Sequence, residues 1–500
     1  MQENKDNYLN TLSQAIVKIQ RRAEKQLDWE KLVDTFVMTE VATRAKTTDS
    51  QLVLGRRGTG KTHLFRVFEG TETLKGKVVH YIDCTRLGSG YAGLQLQPKE
   101  IAPKYFSSLM NEVGTRLLDE AVRMEAPKPG AQDRILNELG IGLARYLEPN
   151  NETEPFNNTF NYRQISESLE NILSDLQIDR MFLILDEWAQ IPVSAQPYVA
   201  EYLKRAILCV PNISVKLLAV SYQCNLSFRD ESGNIGIQRG ADIPDTLDLD
   251  SYFIYEENKG FVDLFFSQVL YNHLSAELNW PLDVSPEGKR KKILELFTQL
   301  PAFIELVRAA EGNCRDFLCI FSKAFFEGLR QRREAKAISI LDITSAASTW
   351  FDNEKYANFR DEDGPRKTLE FIINHVIKGY KSHTFMVEAT KSRSPSLTRL
   401  LNERVLHKLS GFYSNPDKPG ERYELFTVDY GAYIRFKGTG NEPYQTIMPT
   451  MMELESLSQA EGKYMVPLDD KRSIRRIVFD PDSLELRAFG NENQMEKGLF

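Results

Sequence analysis

The chain has 500 residues, and 63 Lys and Arg against 70 Asp and Glu give a formal net charge of −7. This length is typical of about three domains, and an apolar content of 42% is sufficient for sizeable cores. The 29 glycines and 21 prolines are too few for a collagen-like or disordered chain, and the negative charge argues against a protein that coats nucleic acid by overall charge.

The first half of the chain is predicted to alternate strands with helices. Apolar residues at helical spacing indicate two helices between Leu9 and about Arg44. Short apolar runs then predict five strands, at 51–54, 77–84, 178–185, 215–220 and 247–255. Helical patterns between these strands indicate βαβ units with right-handed crossovers. The predicted fold class is therefore α/β, a parallel sheet with helices on both faces.

The second half is predicted to be helical first and mixed later. From Gly260 to Arg333 the pattern is almost wholly helical. After Trp350 we predict, in order, a helix to about Lys378, a strand at 384–388, a helix at 396–409 and two strands within 423–436. This order of helix, strand, helix and two-stranded wing predicts a C-terminal winged helix.

A phosphate-binding loop follows the first predicted strand. Residues 55–62 read Gly-Arg-Arg-Gly-Thr-Gly-Lys-Thr, which fits G-x-x-x-x-G-K-[ST] in full and begins a helix. Backbone N–H groups would surround phosphate oxygens, Lys61 would reach the β- and γ-phosphates, and the Thr62 hydroxyl would hold Mg²⁺. We therefore predict ATP and Mg²⁺ as cofactors. The predicted nucleotide contacts are Gly55, Arg56, Arg57, Gly58, Thr59, Gly60, Lys61, Thr62 and His63.

Two carboxylates, Asp186 and Glu187, close the apolar run 181–185. A carboxylate at the carboxyl end of a central strand can meet the Mg²⁺ held by Thr62, so Asp186 is the second predicted metal ligand. Glu187 would orient and deprotonate the attacking water, which predicts an ATPase. The fourth strand also ends in polar residues that could sense the γ-phosphate, and the sequence leaves open which one does so: Ser221, Tyr222 or Gln223.

Together these motifs resemble the AAA+ ATPases, and within them the replication initiators of the origin-recognition clade. Four further segments match that clade's second strand, last core strand, sensor-2 motif and exit from the lid: Lys77–Cys84, Phe253–Tyr255, Glu311–Leu318 and Ile338–Ala346. By this resemblance Arg315 would contact the γ-phosphate from the lid. An arginine from a neighbouring subunit usually completes such a site, and Arg239 is preferred over Arg229 for that role.

The resemblance implies a division of the chain into five segments. They are an N-terminal helical segment (1–45), an AAA+ core (46–258), a helical lid (259–350), a winged helix (351–445) and a C-terminal tail (446–500). Lys61 and Asp186 are 125 residues apart, more than a compact AAA+ core needs. The stretch at about 87–162 is therefore predicted to be an insertion, and the resemblance does not supply its role.

Two functions remain open for the C-terminal part of the chain. The segment from Arg366 to Lys408 contains nine basic and three acidic residues, a local charge of +6, so the rest of the chain has a net charge of −13. A winged helix places such residues on DNA phosphates, or serves protein contacts alone. The predicted DNA contacts within 391–408 are Lys391, Arg393, Arg399, Arg404 and Lys408.

The first functional hypothesis is an ATP-dependent switch that forms homo-oligomers and engages duplex DNA. The alternative is the ATPase of an antiphage defence or signalling assembly whose lid and insertion control an effector protein, and it is motivated by the acidic remainder of the chain and the long insertion. By analogy, the chain also resembles bacterial initiator-like ATPases, several of them encoded near antiphage genes. The polar start of the chain and the lack of any run near 18 apolar residues predict a cytoplasmic protein without membrane contact. The spacing of the five cysteines suggests neither a zinc site nor a disulfide framework.

Overall fold

The structure is a computed structural model, and its described residues form two compact units. Those residues are 2–88, 97–123, 130–136, 160–231, 233–253, 255, 258–332, 338–379, 383–414, 420–436, 477–482 and 484–487. The parallel-sheet unit comprises 38–57 and 61–249, and the helix-rich unit comprises 1–37, 58–60 and 250–500.

The elements are numbered in chain order. The described strands are β1 (Gln51–Leu54), β2 (Val78–Asp83), β3 (Met181–Asp186), β4 (Ile213–Ala219), β5 (Ser227–Asp230), β6 (Gly233–Gly236), β7 (Asp245–Asp248), β8 (Thr384–Glu388), β9 (Leu406–Ser414), β10 (Arg422–Val428), β11 (Val478–Asp480) and β12 (Glu485–Arg487). The described helices are α1 (Gln2–Lys18), α2 (Trp29–Asp34), α3 (Glu40–Arg44), α4 (Lys61–Leu74), α5 (Pro98–Arg123), α6 (Ala131–Arg134), α7 (Tyr162–Asp175), α8 (Gln196–Leu203), α9 (Leu249–Tyr252), α10 (Lys259–Leu278), α11 (Pro286–Leu294), α12 (Leu300–Ala310), α13 (Cys314–Arg332), α14 (Ile340–Glu354), α15 (Asp363–Phe371), α16 (Pro395–Asn402) and α17 (Tyr430–Phe436).

A five-stranded sheet in the order β2-β3-β4-β1-β7 forms the centre of the parallel-sheet unit. Every neighbouring pair runs parallel, so the carboxyl ends of β1, β3 and β4 lie at one edge. The N–H of Gly55 continues this pairing beyond β1 by donating to the Ala219 carbonyl at 3.1 Å. The residues that follow these three strands are therefore brought to the same edge.

Helices cover both faces of this sheet, because successive side chains of a strand point to opposite faces. On one face Phe182 packs edge-on against Phe68 of α4, with ring centroids 5.1 Å apart. On the other face Leu183 and Leu185 belong to a buried cluster that includes residues of α5, α7 and α8. The predicted α/β class with helices on both faces is confirmed.

The limits of two predicted strands differ from those observed by three residues or more. The third begins at Met181, and the fifth ends at Asp248, where the prediction continued it to 255. Helix α9 follows at once, because Asp248 and Asp250 are poor strand formers but suit the start of a helix. Near the N-terminus three α-helices, α1 to α3, occupy the region where two were predicted.

The helix-rich unit combines α10 to α14 with a second sheet, in the order β12-β11-β8-β10-β9. Strand β10 pairs antiparallel with both β8 and β9, and β11 pairs in parallel with β8. The predicted helix, strand and helix are therefore present as α15, β8 and α16, but the hairpin consists of β9 and β10 and does not coincide with the two strands predicted within 423–436. The winged helix itself stays a prediction.

Two local predictions in this region are wrong. The helix predicted at 396–409 ends at Asn402, because Arg404 adopts a left-handed backbone (φ 59°) and β9 then pairs with β10. Residues 430–436 form helix α17, although they were predicted as a strand. Here the Asp429 side chain accepts the Gly431 N–H at 3.1 Å and starts a helix in spite of the aromatic composition.

Some predictions lie partly or wholly outside the described residues. They concern stretches of the insertion at 87–162, Ile254 in the predicted lid entry, and most of the tail at 446–500. The predicted domain boundaries therefore stay predictions. Within the part of the chain that is described, no helix combines the length and apolarity needed to cross a bilayer.

Candidate functional site

The loop between β1 and α4 has the conformation that its glycines permit. Gly58 and Gly60 have φ values of 94° and 98°, in the left-handed region that other residues rarely adopt. A Cβ atom on Gly58 would also lie only 3.0 Å from the Cβ of Arg315. The Gly58 carbonyl accepts a hydrogen bond from the Arg315 N–H at 3.2 Å. Glycine at position 58 is therefore required for both backbone and space.

Lys61, the first residue of α4, directs its ammonium group back into the loop. Its Nζ atom donates to the carbonyl oxygens of Gly55 at 2.5 Å and Arg56 at 3.0 Å. Lys61 is only 8% exposed, so these carbonyls compensate a buried charge. Phosphate oxygens would be stronger acceptors for the same ammonium group than these neutral carbonyls, because their negative charge adds a Coulomb attraction to the hydrogen bond.

Three donors converge on Asp186, the last residue of β3. The Thr62 hydroxyl donates to Asp186 Oδ2 at 2.8 Å, and the Tyr81 hydroxyl of β2 donates to the same oxygen. The N–H of Glu187 donates to Oδ1 at 2.8 Å. Asp186 is 3% exposed, so this carboxylate is both buried and hydrogen-bonded on each oxygen.

These oxygen donors fit the predicted Mg²⁺ ion. Mg²⁺ takes hard oxygen ligands and is usually bound through one or two carboxylates together with water and phosphate oxygens. The Thr62 hydroxyl and the Asp186 carboxylate are of this kind and lie within hydrogen-bond distance of each other. The two predicted metal ligands are therefore brought together at the carboxyl edge of the sheet.

Glu187 stands beside this cluster in an unusual backbone conformation. Its φ and ψ of 53° and 41° are left-handed, which costs a non-glycine residue about 1–3 kcal/mol. The Glu187 side chain is 34% exposed, and one carboxylate oxygen lies 3.8 Å from the Arg57 guanidinium. The surrounding structure therefore holds the accessible Glu187 carboxylate next to Asp186 in a strained backbone conformation.

The electrostatic surroundings keep two neighbouring groups protonated. Burial, together with the Asp186 carboxylate, raises the pKa of the Tyr81 hydroxyl far above its usual value. Burial likewise raises the pKa of the Cys84 thiol, and nearby carboxylates add to the effect. Tyr81 is therefore a hydrogen-bond donor to Asp186 at any ordinary pH. The sequence reasoning missed it, because only the β2–β3 pairing reveals which strand lies beside Asp186.

The residues predicted to sense or complete the site lie in several places. Residues 221–223 form a short 3₁₀ helix directly after β4, at the same edge of the sheet as Asp186. Arg229 is on the hairpin strand β5, and both it and Arg239 are exposed. Arg315 is the second residue of α13, and its buried Nε has no hydrogen-bond partner among the described residues. Their sensor and arginine-finger roles stay predictions.

Four of the five predicted DNA contacts are paired with carboxylates of the same unit. The N···O distances are 2.9 Å for Lys391–Asp480, 3.5 Å for Arg404–Asp316, 2.6 Å for Lys408–Glu424 and 3.0 Å for Arg399–Glu362. Arg399 is also paired with Glu403. Lys408 lies on β9 and not on a helix. Arg393, in contrast, is exposed.

A buried ion-pair network explains the position of Arg404. The Lys355 ammonium lies 2.9 Å from Asp316 and 2.6 Å from Asp429, and His407 lies 3.3 Å from Asp429. Burial acts to raise the pKa of Asp316, but the cations of Arg404 and Lys355 outweigh it and hold that pKa far below its usual range. Nothing in the sequence pattern indicates this network, because its members are spread from Asp316 in α13 to Asp429, the residue after β10.

Comparison with known proteins gives similarities to solved structures at low sequence identity. No protein-family model and no curated protein sequence matches the chain. The similar solved structures include Orc1 of Aeropyrum pernix in complex with DNA, at 14% identity, covering 85% of this chain and 96% of that one, with a TM-score of 0.34. Drosophila ORC bound to DNA has 12% identity, coverages of 86% and 90%, and a TM-score of 0.30. Cdc6p of Pyrobaculum aerophilum has 12% identity, coverages of 82% and 97%, and a TM-score of 0.33. At these values we transfer no residue role from them.

Proposed function

We propose that the chain is a Mg²⁺-dependent ATPase of the AAA+ type, with loop 55–62 as its nucleotide site. The observation that carries the proposal is the hydrogen bond of 2.8 Å between Thr62 and Asp186. It joins the last residue of a full phosphate-binding motif to the carboxylate that ends a central strand, although 123 residues lie between them in the sequence. Such a pairing of hydroxyl and carboxylate is what a nucleotide-bound metal requires.

Each residue of the site has a proposed task. Lys61 would exchange its two carbonyl acceptors for phosphate oxygens, and the N–H groups at the start of α4 would bind the same phosphates. Mg²⁺ would supply charge neutralisation at the terminal phosphates. Thr62 and Asp186 would hold it, and Glu187 would accept a proton from the attacking water. The exposure of the Glu187 carboxylate supports this task, since a water molecule can reach it.

Two substitutions separate nucleotide binding from hydrolysis. Lys61→Ala should abolish ATP binding measured with a fluorescent ATP analogue, because it removes the charge at the centre of the loop. Glu187→Gln should bind ATP within about threefold of the wild type and hydrolyse it about 10²–10⁴ times more slowly. Matched controls are Lys367→Ala and Glu167→Gln, whose side chains form ordinary exposed ion pairs. Unchanged turnover in Glu187→Gln would remove this residue from the base role.

DNA engagement through residues 391–408 is the second candidate function. The exposed Arg393 supports it, whereas the ion pairs of Lys391, Arg399, Arg404 and Lys408 reduce the charge available to phosphates. Assembly into homo-oligomers with ATP, the Arg239 finger and control of an effector protein stay predictions from sequence.

A further inference from the structure

The side chain of Tyr81 occupies a position that the proposed ATPase mechanism has not yet used. Tyr81 lies on β2, is 5% exposed, and directs its hydroxyl to Asp186 Oδ2. The same oxygen accepts the Thr62 hydroxyl. The Tyr81 hydroxyl therefore contacts the proposed metal ligand Asp186 at Oδ2, the same atom that accepts the hydroxyl of the other proposed ligand, Thr62.

The ring of Tyr81 is held from two directions. Its strand is fixed in parallel register with β3, where Tyr81 is opposite Ile184. Above the ring, the guanidinium of Arg66 on α4 lies 4.3 Å from the ring centroid and is itself paired with Glu69 at 2.9 Å. Because both the backbone and the ring plane are fixed, the hydroxyl has little freedom to leave Asp186.

The hydrogen bonds on Asp186 divide into permanent and exchangeable ones. The Glu187 N–H on Oδ1 is backbone, and the Tyr81 hydroxyl on Oδ2 is held by the strand and by Arg66. The Thr62 hydroxyl is on a residue that must also serve a metal ion. If Thr62 turns its oxygen towards the ion, the other two donors still hold the carboxylate in its orientation.

We infer that Tyr81 is a positioning residue of the metal site, which keeps the Asp186 carboxylate oriented for Mg²⁺ without contacting the ion or the nucleotide. The inference rests on the proposed function. Partners of this kind, which hydrogen-bond a metal ligand from outside, typically contribute about 10–100-fold to metal affinity. Removing only the hydroxyl should therefore lower the affinity for Mg²⁺ without lowering the affinity for the nucleotide in the absence of Mg²⁺.

The test is the Mg²⁺ dependence of nucleotide binding by Tyr81→Phe, measured with a fluorescent, non-hydrolysable ATP analogue. We expect its affinity without Mg²⁺ to stay within about twofold of the wild type. The Mg²⁺ concentration that gives half of the metal-induced gain in affinity should rise about tenfold. Tyr271→Phe is the matched control, because it loses a hydroxyl hydrogen bond to the Pro281 carbonyl (2.8 Å) in the other unit.

The outcomes distinguish the inference from the proposed function. If the wild type binds the analogue without any response to Mg²⁺, the proposed metal site is wrong. If the wild type responds and Tyr81→Phe has the same Mg²⁺ midpoint, Tyr81 has no positioning role. Should Tyr81→Phe fail to fold, Arg66→Ala replaces it, since Arg66 is 40% exposed and its loss frees the ring without removing the hydroxyl. That variant should raise the midpoint about two- to threefold, and an unchanged midpoint contradicts the inference.

Discussion

Replacement of Lys355 by methionine tests whether the buried network holds the helix-rich unit together. Lys355 is 2% exposed and is the cation shared by Asp316 and Asp429. Methionine keeps the length and the apolar part of the side chain but removes the charge. The variant would leave two buried carboxylates with one fewer compensating charge, whereas the surrounding packing is largely preserved.

The expected loss of stability follows from the contacts that remain. Removing one partner of a buried ion pair typically costs about 3–5 kcal/mol. Asp316 would retain Arg404 at 3.5 Å and the Trp350 N–H at 3.1 Å, and Asp429 would retain His407 at 3.3 Å. We therefore expect the lower end, about 3 kcal/mol, which corresponds to a fall in the melting temperature of roughly 6 °C.

The assay is thermal unfolding followed by circular dichroism between pH 5 and pH 8. The network's charges lower the pKa of both Asp316 and Asp429 on folding, so its stabilisation is present above the ordinary carboxyl pKa of 3.8 and is lost as pH falls below it. The difference between variant and wild type should accordingly be constant over this range. Lys367→Met, which breaks an exposed ion pair with Asp363, is the matched control and should change stability by less than about 1 kcal/mol. A Lys355→Met protein that melts within 1 °C of the wild type would refute the reasoning.

Two further predictions concern a buried histidine and the DNA contacts. Burial, together with the charges of Arg116 and Arg123, lowers the pKa of His80 to about 3. Below pH 6.5 this histidine therefore binds a proton in the unfolded state but stays neutral in the folded state, so the stability of the fold decreases as the pH falls. His80→Leu should remove about 2 kcal/mol of this acid sensitivity at pH 5, measured by chemical unfolding. Equal pH profiles for His80→Leu and the wild type would contradict the prediction. Arg393→Glu should weaken duplex binding in a fluorescence anisotropy titration and should reduce the slope of log affinity against log salt by the equivalent of about one to two phosphate contacts. The control Arg360→Glu, which lies outside the segment, should leave both quantities unchanged. Affinity unchanged in Arg393→Glu would exclude this residue.

The parallel-sheet unit was largely predictable because its signals are local. Buried parallel strands produce continuous apolar runs, and the full glycine-rich motif fixes where a strand ends and a helix begins. Lys61, Thr62 and Asp186 were found in this way, and the structure brings them together. Tyr81 could not be found, because the order of strands in a parallel sheet is set by crossover connections and not by any pattern within β2.

The C-terminal region was less predictable because propensity and context conflict there. Leucines at 397, 400 and 401 continue into Val405 and Leu406 at spacings that also suit a helix, but the left-handed Arg404 interrupts it. Once the chain has turned, pairing of β9 with β10 satisfies the backbone of residues 406–414. The secondary structure of this apolar run, which the sequence pattern leaves ambiguous, is thus determined by its pairing with β10.

The same region shows why a local charge count overstates the positive surface. The +6 of residues 366–408 was obtained from that segment alone. In the folded unit six carboxylates from outside the segment pair with its described basic side chains: Asp316, Glu362, Asp363, Glu424, Asp480 and Asp482. Two of these carboxylates, Asp316 and Asp480, are buried. Their partners Arg404 and Lys391 could bind DNA phosphates only if these buried ion pairs were broken. Charge reversal at Arg404 would place a second carboxylate beside Asp316 and should unfold the unit, and only exposed residues such as Arg393 can test DNA binding separately from stability.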